Sequence, residues 1–265
     1  MNSRVRGQWF LGGLGFLAGL YALLILGLLV ADVGFTSWDE CWIALQSDAI
    51  RHSIALSFIS CTLAALLSLV VAVPAGYLLA RFRFRGSRLL DALFDIPIVL
   101  PPLVIGLSLL ILFQTAAGQF FEEHVMEMTY ELPGVVLAQF VVACAFAVRT
   151  MRLCFDSIDP RPEQVARTLG CTRAQAFFRV TLPEARGGII AAGSLAFARA
   201  LGEFGPILVF SGATRMKTEV LPTTVFLELS VGNLQAALAV SLLMVLAAIS
   251  VLVLARMFGM RGGLL

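Results

Sequence analysis

The run SIALSFISCTLAALLSLVVAVPAGYLLA (Ser53–Ala80) contains 28 consecutive residues without a charge. About 20 apolar residues suffice for a helix to cross the hydrocarbon of a bilayer. The backbone there has no water to bond to, so the run reads as a membrane helix. The rest of the chain agrees. Of its 265 residues 59% are hydrophobic and 14% charged, with mean hydropathy +0.93. An ordinary soluble domain is about 25% charged, so this chain lacks the polar surface to coat a soluble globule. The expected class is all-α and membrane-embedded, a single transmembrane domain over 1–265 with no room for an added catalytic domain.

Working outward, Gly7–Ala31 is charge-free and gives a first span over 11–30. Arg4 and Arg6 precede it as in a signal peptide, but the run is long and has no small-x-small cleavage site, so it reads as an uncleaved helix. Further spans fall at 55–80, 96–116, 132–148 and 234–255. Between Arg186 and Arg215 two apolar stretches are each too short to cross. Arg199 and Glu203 separate them at i,i+4 spacing, on one face of a helix. A single helix over 188–210 with an internal ion pair accounts for both and brings the count to six. Fifteen of the 19 basic residues then lie on one side, in the N-terminus, 81–95, 149–186 and the C-terminus. Ten of the 17 acidic residues lie opposite, with Glu122, Glu123, Glu127 and Glu131 in one loop. The positive-inside rule puts both termini in the cytoplasm.

The segment 149–186 is the least membrane-like part. Pro160 and Pro162 interrupt helix propagation, Glu163–Leu169 suits a short helix, Gly170 permits a turn, and Ala174–Val180 suits another helix before Pro183. It reads either as a solvated connector or as a docking element for a cytoplasmic partner. Pro97, Pro101 and Pro102 withhold backbone donors and bend the third span, which frees carbonyls that must be buried or face a polar path. Arg199 and Glu203 are ionisable groups inside a span, and such groups normally face a bundle interior or an aqueous cavity. Arg81, Arg83, Arg85 and Arg88 anchor an inner helix end, and Trp9, Trp38 and Trp42 fit interfacial anchoring. Two histidines and five separated cysteines supply no C-x-x-C pair or His cluster, so neither a metal site nor a disulfide framework is expected. The basic groups follow topology and form no nucleic-acid face.

The stretch Glu163-Gln-Val-Ala-Arg-Thr-Leu-Gly170, nine residues, then Val180-Thr-Leu-Pro183 resembles the cytoplasmic signature loop of ABC importer permeases. That pattern is E-A-A, three residues, Gly, nine residues, I-x-L-P. Gln164, Val165 and Ala166 occupy the E-A-A positions here, Glu163 keeps an acid one position earlier, and Gly170, Val180, Leu182 and Pro183 complete the spacing. The run from Asp91 to Gly106 and the phrase Arg199-Ala-Leu-Gly-Glu-Phe-Gly205, followed by Leu221-Pro222 and Glu228, are similar to the molybdate, tungstate and sulfate permeases. The likeness covers roughly 50–255.

This resemblance implies a type I importer permease with a coupling loop made of Glu163, Gln164, Val165, Ala166, Gly170, Val180, Leu182 and Pro183. Its gate or pathway candidates are Pro101, Pro102, Arg199 and Glu203. The implied partners are a second permease copy, two cytoplasmic ABC ATPase subunits and an extracytoplasmic solute-binding protein. ATP and Mg2+ belong to the ATPase partners, because the chain has no G-x-x-x-x-G-K-[ST] cradle. The implied substrate is an oxyanion, molybdate first, then tungstate, then sulfate or thiosulfate. An integral-membrane enzyme and a noncatalytic scaffold remain the alternatives from other classes. Sparse His and Cys and unclustered acids offer the enzyme no reactive constellation.

Overall fold

The computed structural model describes residues 3–259. The chain ends, including the Arg261 counted above for the inner side, lie outside the described residues. The described chain is helical throughout: α1 (Ser3–Phe35), α2 (Trp38–Gln46), α3 (Asp48–Arg81), α4 (Ser87–Val99), α5 (Pro102–Gln114), α6 (Ala116–His124), α7 (Leu132–Ser157), α8 (Arg161–Thr168), α9 (Arg173–Ala176), α10 (Leu182–Glu184), α11 (Arg186–Leu201), α12 (Leu221–Ser230) and α13 (Leu234–Gly259). Two π-helical turns, Phe177–Thr181 and Ile207–Ser211, join them.

The core is the pairing of α3 with α7, flanked by α11 and then α13. A stripe of small residues on α3 makes it possible. Ser53, Ser57, Ser60, Cys61, Ala64, Ser68, Ala72 and Gly76 recur every three or four positions and are buried. Without a hydrophobic driving force between helices in lipid, close backbone approach and van der Waals contact must hold the pair. Ser53, Ser60 and Ser68 satisfy themselves locally, donating to the carbonyls of Ile50, Ser57 and Ala64 at 2.9, 3.3 and 2.7 Å, while Ser57 Oγ accepts from Leu221 N–H at 2.8 Å. At Gly76 a Cβ would sit 2.8 Å from the Arg152 backbone nitrogen and from Met151 Cβ, so nothing larger than glycine fits between the helices. At Gly188 of α11 a Cβ would collide with Cys154 Sγ of α7.

Among the described residues, four helical stretches are long and apolar enough to cross a membrane: Gly13–Phe35 of α1, α3, α7, and Leu234–Val251 of α13. A fifth crossing follows if α4 and α5 are taken together, although they bend by 112° at Pro101. By length and composition the described residues thus supply four crossing helices, or five with the bent pair, and not the six expected. The third span, expected as one helix over 96–116, is two helices. Leu100 is held extended by the proline after it, and Pro101 is extended as well (φ −55°, ψ 133°) before Pro102 restarts the helix at its first turn.

The expected helix over 188–210 is broken too. α11 ends after 16 residues at Leu201, too short to cross alone. Pro206 explains the interruption, since it has no N–H to offer the carbonyl of Gly202 and its ring crowds that carbonyl. The helix restarts at Gly205, with Pro206 in its first turn, and runs on as the π turn from Ile207. The connector expected from 149 begins later, because α7 continues to Ser157.

Candidate functional site

Two regions hold the expected site residues. The first is the segment from Arg161 to Glu184. α8 ends in a motif that only a left-handed residue can close: Gly170 N–H donates to Arg167 O and Cys171 N–H to Ala166 O, both at 3.1 Å, with Gly170 at φ +96°. Cys171 is partly exposed there, whereas the chain's other four cysteines are buried. α9 then starts with a capping box. Thr172 Oγ1 accepts from Gln175 N–H at 3.2 Å, and Gln175 Oε1 accepts from Thr172 N–H at 2.9 Å. The helix does not stop before Pro183 as expected. The π turn and α10 carry it through to Glu184, with Pro183, which has no N–H to offer, directly after the π turn.

Gln164, Val165, Gly170 and Pro183 are exposed, while Ala166, Val180 and Leu182 are half-buried. Val165, Leu169 and Phe178 are 55%, 81% and 64% exposed, an apolar surface on an otherwise basic segment. Glu163 differs from its neighbours. Its Oε1 accepts from the Tyr77 hydroxyl and its Oε2 from Thr181 Oγ1 at 2.9 Å, and Arg81 Nε lies 4.0 Å away. Tyr77 itself sits among Phe82, Phe155 and Phe177, with ring centroids 5.8, 5.5 and 4.5 Å away. Tyr77 and Thr181 went unnoticed in the sequence. The signal was Tyr77 and Arg81 at i,i+4 spacing, a polar face on the inner end of α3.

The second region surrounds the break after α11. Arg199 Nη1 lies 2.9 Å from Glu203 Oε2, an ion pair by distance. It lacks hydrogen-bond alignment, since that oxygen has no hydrogen-bond partner among the described residues. The Glu203 side chain is 1% exposed and that of Arg199 28%. The guanidinium stacks over the Phe146 ring of α7 at 5.5 Å. The expected pathway prolines come to the same place. A Cβ on Gly205 would lie 3.0 Å from Pro102 Cβ, and one on Gly106 would lie 2.7 Å from Pro206 Cα. The break at Pro101 and the break after Glu203 thus pack backbone to backbone. Pro101 and Pro102 remain exposed.

At the far end of this second break, two loops lock together. Tyr130 N–H donates to Phe210 O at 3.2 Å, and Lys217 pairs with Glu131. Tyr130 and Met216 hold positive φ, 59° and 62°, strain that persists only where surrounding contacts over-determine it. Glu122 Oε1 accepts from the N–H groups of Met128 and Thr129 at 3.2 and 2.7 Å. Partial burial pushes its carboxyl up, but the bonds from Thr129 and Met128 outweigh this and hold it below the usual value. Arg215 Nη2 meets the buried Glu228 at 2.7 Å, and Asn233 donates to the other Glu228 oxygen at 2.9 Å. Among the described residues, no group of three or more His, Cys, Asp or Glu side chains could hold a metal ion.

The fold is shared with solved transporters. A bacterial alginate ABC transporter, in complex with its alginate pentasaccharide-bound periplasmic protein, aligns over 97% of this chain and 96% of its own with TM-score 0.76 at 16% identity. Residues 72–261 match the family described as binding-protein-dependent transport system inner membrane component. The sulfate transport system permease protein CysT of Salmonella typhimurium is 34% identical over 224 residues, covering 84% of this chain and 81% of that one. A probable molybdenum ABC transporter permease protein of Haloferax volcanii is 36% identical over 241 residues, covering 91% and 86%. The molybdenum transport system permease protein ModB of Mycobacterium tuberculosis is 34% identical over 222 residues, covering 83% and 84%. The chain belongs to the inner-membrane permease components of binding-protein-dependent ABC transporters, in the branch of the sulfate and molybdenum permeases, and is a multi-pass transport subunit without an ATPase site of its own.

Proposed function

We propose that the chain is the permease subunit of an ATP-driven oxyanion importer, with molybdate as the leading substrate, then tungstate, then sulfate or thiosulfate. Named relatives serve sulfate and molybdenum systems alike, which favours the tetrahedral dianion class over any one member. The observation that carries the reading is the apolar surface of Val165, Leu169 and Phe178. It lies on a segment closed by Gly170 and held at both ends by long helices, a projection suited to enter a groove on a cytoplasmic partner. Exposed apolar patches of this kind mark interaction sites.

In this reading two permease copies pair around a central path, two ATPases dock on their 149–186 segments, and an extracytoplasmic binding protein delivers the anion. Six crossings are formed by α1, α3, the bent α4–α5, α7, the broken 186–211 stretch and α13, with both termini cytoplasmic. ATP and Mg2+ bind to the ATPases. Nucleotide-driven closure brings the two segments together and alternates access to the path. The packed breaks at Pro101 and Glu203 supply non-helical backbone that is held against protein instead of lipid. The test is uptake of labelled molybdate, tungstate, sulfate and thiosulfate, each in turn, into vesicles holding the permease, its ATPase and its binding protein. ATP-dependent accumulation is expected, and its absence for all four anions refutes the assignment.

A further inference from the structure

The segment from Arg161 to Glu184 is covalently continuous with α7 before it and α11 after it. It has no such connection to α3, although α3 is the central helix of the bundle. Whatever motion the segment receives reaches α3 directly only through non-covalent contacts: the Tyr77 ring packs on Phe177 with centroids 4.5 Å apart, and the hydrogen bonds converge on one side chain, Glu163. On α8, Glu163 and Ala166 are half-buried on one face, while Gln164, Val165, Arg167 and Leu169 are exposed. The Glu163 side chain is 14% exposed, and each of its carboxylate oxygens takes a different donor. Oε1 takes the Tyr77 hydroxyl of α3, and Oε2 takes the Thr181 hydroxyl from the π turn that leads into α10 and α11.

Arg81, one turn beyond Tyr77, approaches the same carboxylate at 4.0 Å and donates to Ile158 O, just after α7, at 2.9 Å. Charge-assisted bonds of this kind are about twice as strong as neutral ones. The inner end of α3 offers little slack, since Gly76 is pressed against the backbone of α7 beside Tyr77. Thr181 is 1% exposed, so neither donor is free to follow Glu163 by swinging into water.

We propose that Glu163 faces inward as a positioning residue, fastening the coupling segment to α3 through Tyr77 and Thr181 while its neighbours Gln164, Val165 and Leu169 meet the ATPase. This rests on the permease reading above. It separates two roles within one short helix: an outer face that receives force, and an acid on the inner face that delivers it to a helix the chain does not link covalently to the segment. Loss of the fastener leaves docking intact and lets the segment move without α3, so ATP is hydrolysed with less transport.

Four variants test this: Glu163→Ala, Glu163→Gln, Tyr77→Phe, and the double Tyr77→Phe/Thr181→Val, which keeps side-chain size while removing both donors. Amide exchange over 161–170 is measured on the full-length permease in detergent. Co-purification with the ATPase and molybdate moved per ATP hydrolysed are measured on the reconstituted complex. Loss of a bond to a charged group corresponds to about a tenfold rise in local exchange for Glu163→Ala and the double variant. Co-purification should stay at the wild-type level in both, with molybdate per ATP reduced several-fold. Glu163→Gln, which can still accept from Tyr77, should recover most of both losses, and Tyr77→Phe should fall between.

Unchanged exchange in Glu163→Ala overturns the proposal. So does loss of ATPase co-purification in Glu163→Ala with a wild-type double variant, because Glu163 would then touch the partner. If the wild-type complex shows no ATP-driven uptake of any oxyanion, the permease reading falls, and the exchange result still decides whether Glu163 fastens the segment.

Discussion

Splitting the Arg199–Glu203 pair should cost more from one side than from the other. At 2.9 Å and an effective dielectric of about 20, the gross attraction is about 6 kcal/mol. Most of it offsets desolvation, so the measurable quantity is the penalty of leaving one charge behind. Arg199→Gln strands a carboxylate that is 1% exposed and has an oxygen without any hydrogen bond. The expected loss is about 3 kcal/mol, the low end for a broken buried pair.

Glu203→Gln strands a guanidinium that is 28% exposed and still has the Phe146 face. That loss is expected near 1 kcal/mol. The double Arg199→Gln/Glu203→Gln variant leaves no lone charge and should lose about 1–2 kcal/mol, a coupling of about 2 kcal/mol between the sites. Thermal unfolding of detergent-purified chains reads this directly. At roughly 2–4 °C per kcal/mol for a chain of this size, Arg199→Gln should lower Tm by roughly 6–12 °C. Uptake at matched folded abundance should rank the variants in the same order. Additive single losses, or Glu203→Gln as the worse single variant, would refute the reasoning.

Gly170→Ala meets open space but must adopt φ +96°, so it should insert and assemble normally while straining the turn by about 1–3 kcal/mol. Gly170→Asp adds bulk and charge at that turn and should reduce stimulated ATP hydrolysis and uptake together. Normal coupled uptake at normal complex abundance contradicts a role for this turn in docking. For Glu122, the folded carboxyl lies below its usual value. Its contribution is complete above the unfolded-state carboxyl range and is lost as pH falls through the lowered folded value. Exchange protection of the Met128 and Thr129 amides should therefore fall on acidification, and Glu122→Gln should abolish that pH dependence. A pH-independent wild type would contradict this. For topology, in a Cys171→Ser background, Glu123→Cys should react with an impermeant maleimide in intact cells and Arg173→Cys only after the membrane is opened. The reverse pattern defeats the orientation.

Much of the bundle was legible because its physics is one-dimensional. An uncharged run such as Ser53–Ala80 has few options in lipid, and α3, α7 and α13 follow from that alone. The prolines at 101 and 102 announced a disturbance, though not its 112° angle, which depends on what packs against the bend. The break after Leu201 was harder to read, because hydropathy and i,i+4 charge spacing both favour one continuous helix. Gly205-Pro206 outweighs them locally, and the contact with α5 holds the broken form. In the coupling segment the spacing around Gly170 revealed the turn. The direction of Glu163 stayed hidden. A helix of eight residues has an inner and an outer face, but its partner Tyr77 lies 86 positions away, and no local pattern couples them. Glu219, fully buried with neither carboxyl oxygen bonded among the described residues, likewise carries no sequence signal.

The distribution of thiols gives experimenters an advantage. Cys41, Cys61, Cys144 and Cys154 are shielded inside the bundle, whereas Cys171 stands partly open one residue past the Gly170 turn. The natural chain therefore carries a near-unique attachment point for an environment-sensitive dye at the place where a partner would cover it. No cysteine-free background is needed. A change in emission on adding the ATPase would follow docking in real time, and a titration of that signal would measure the strength of assembly without any transport assay.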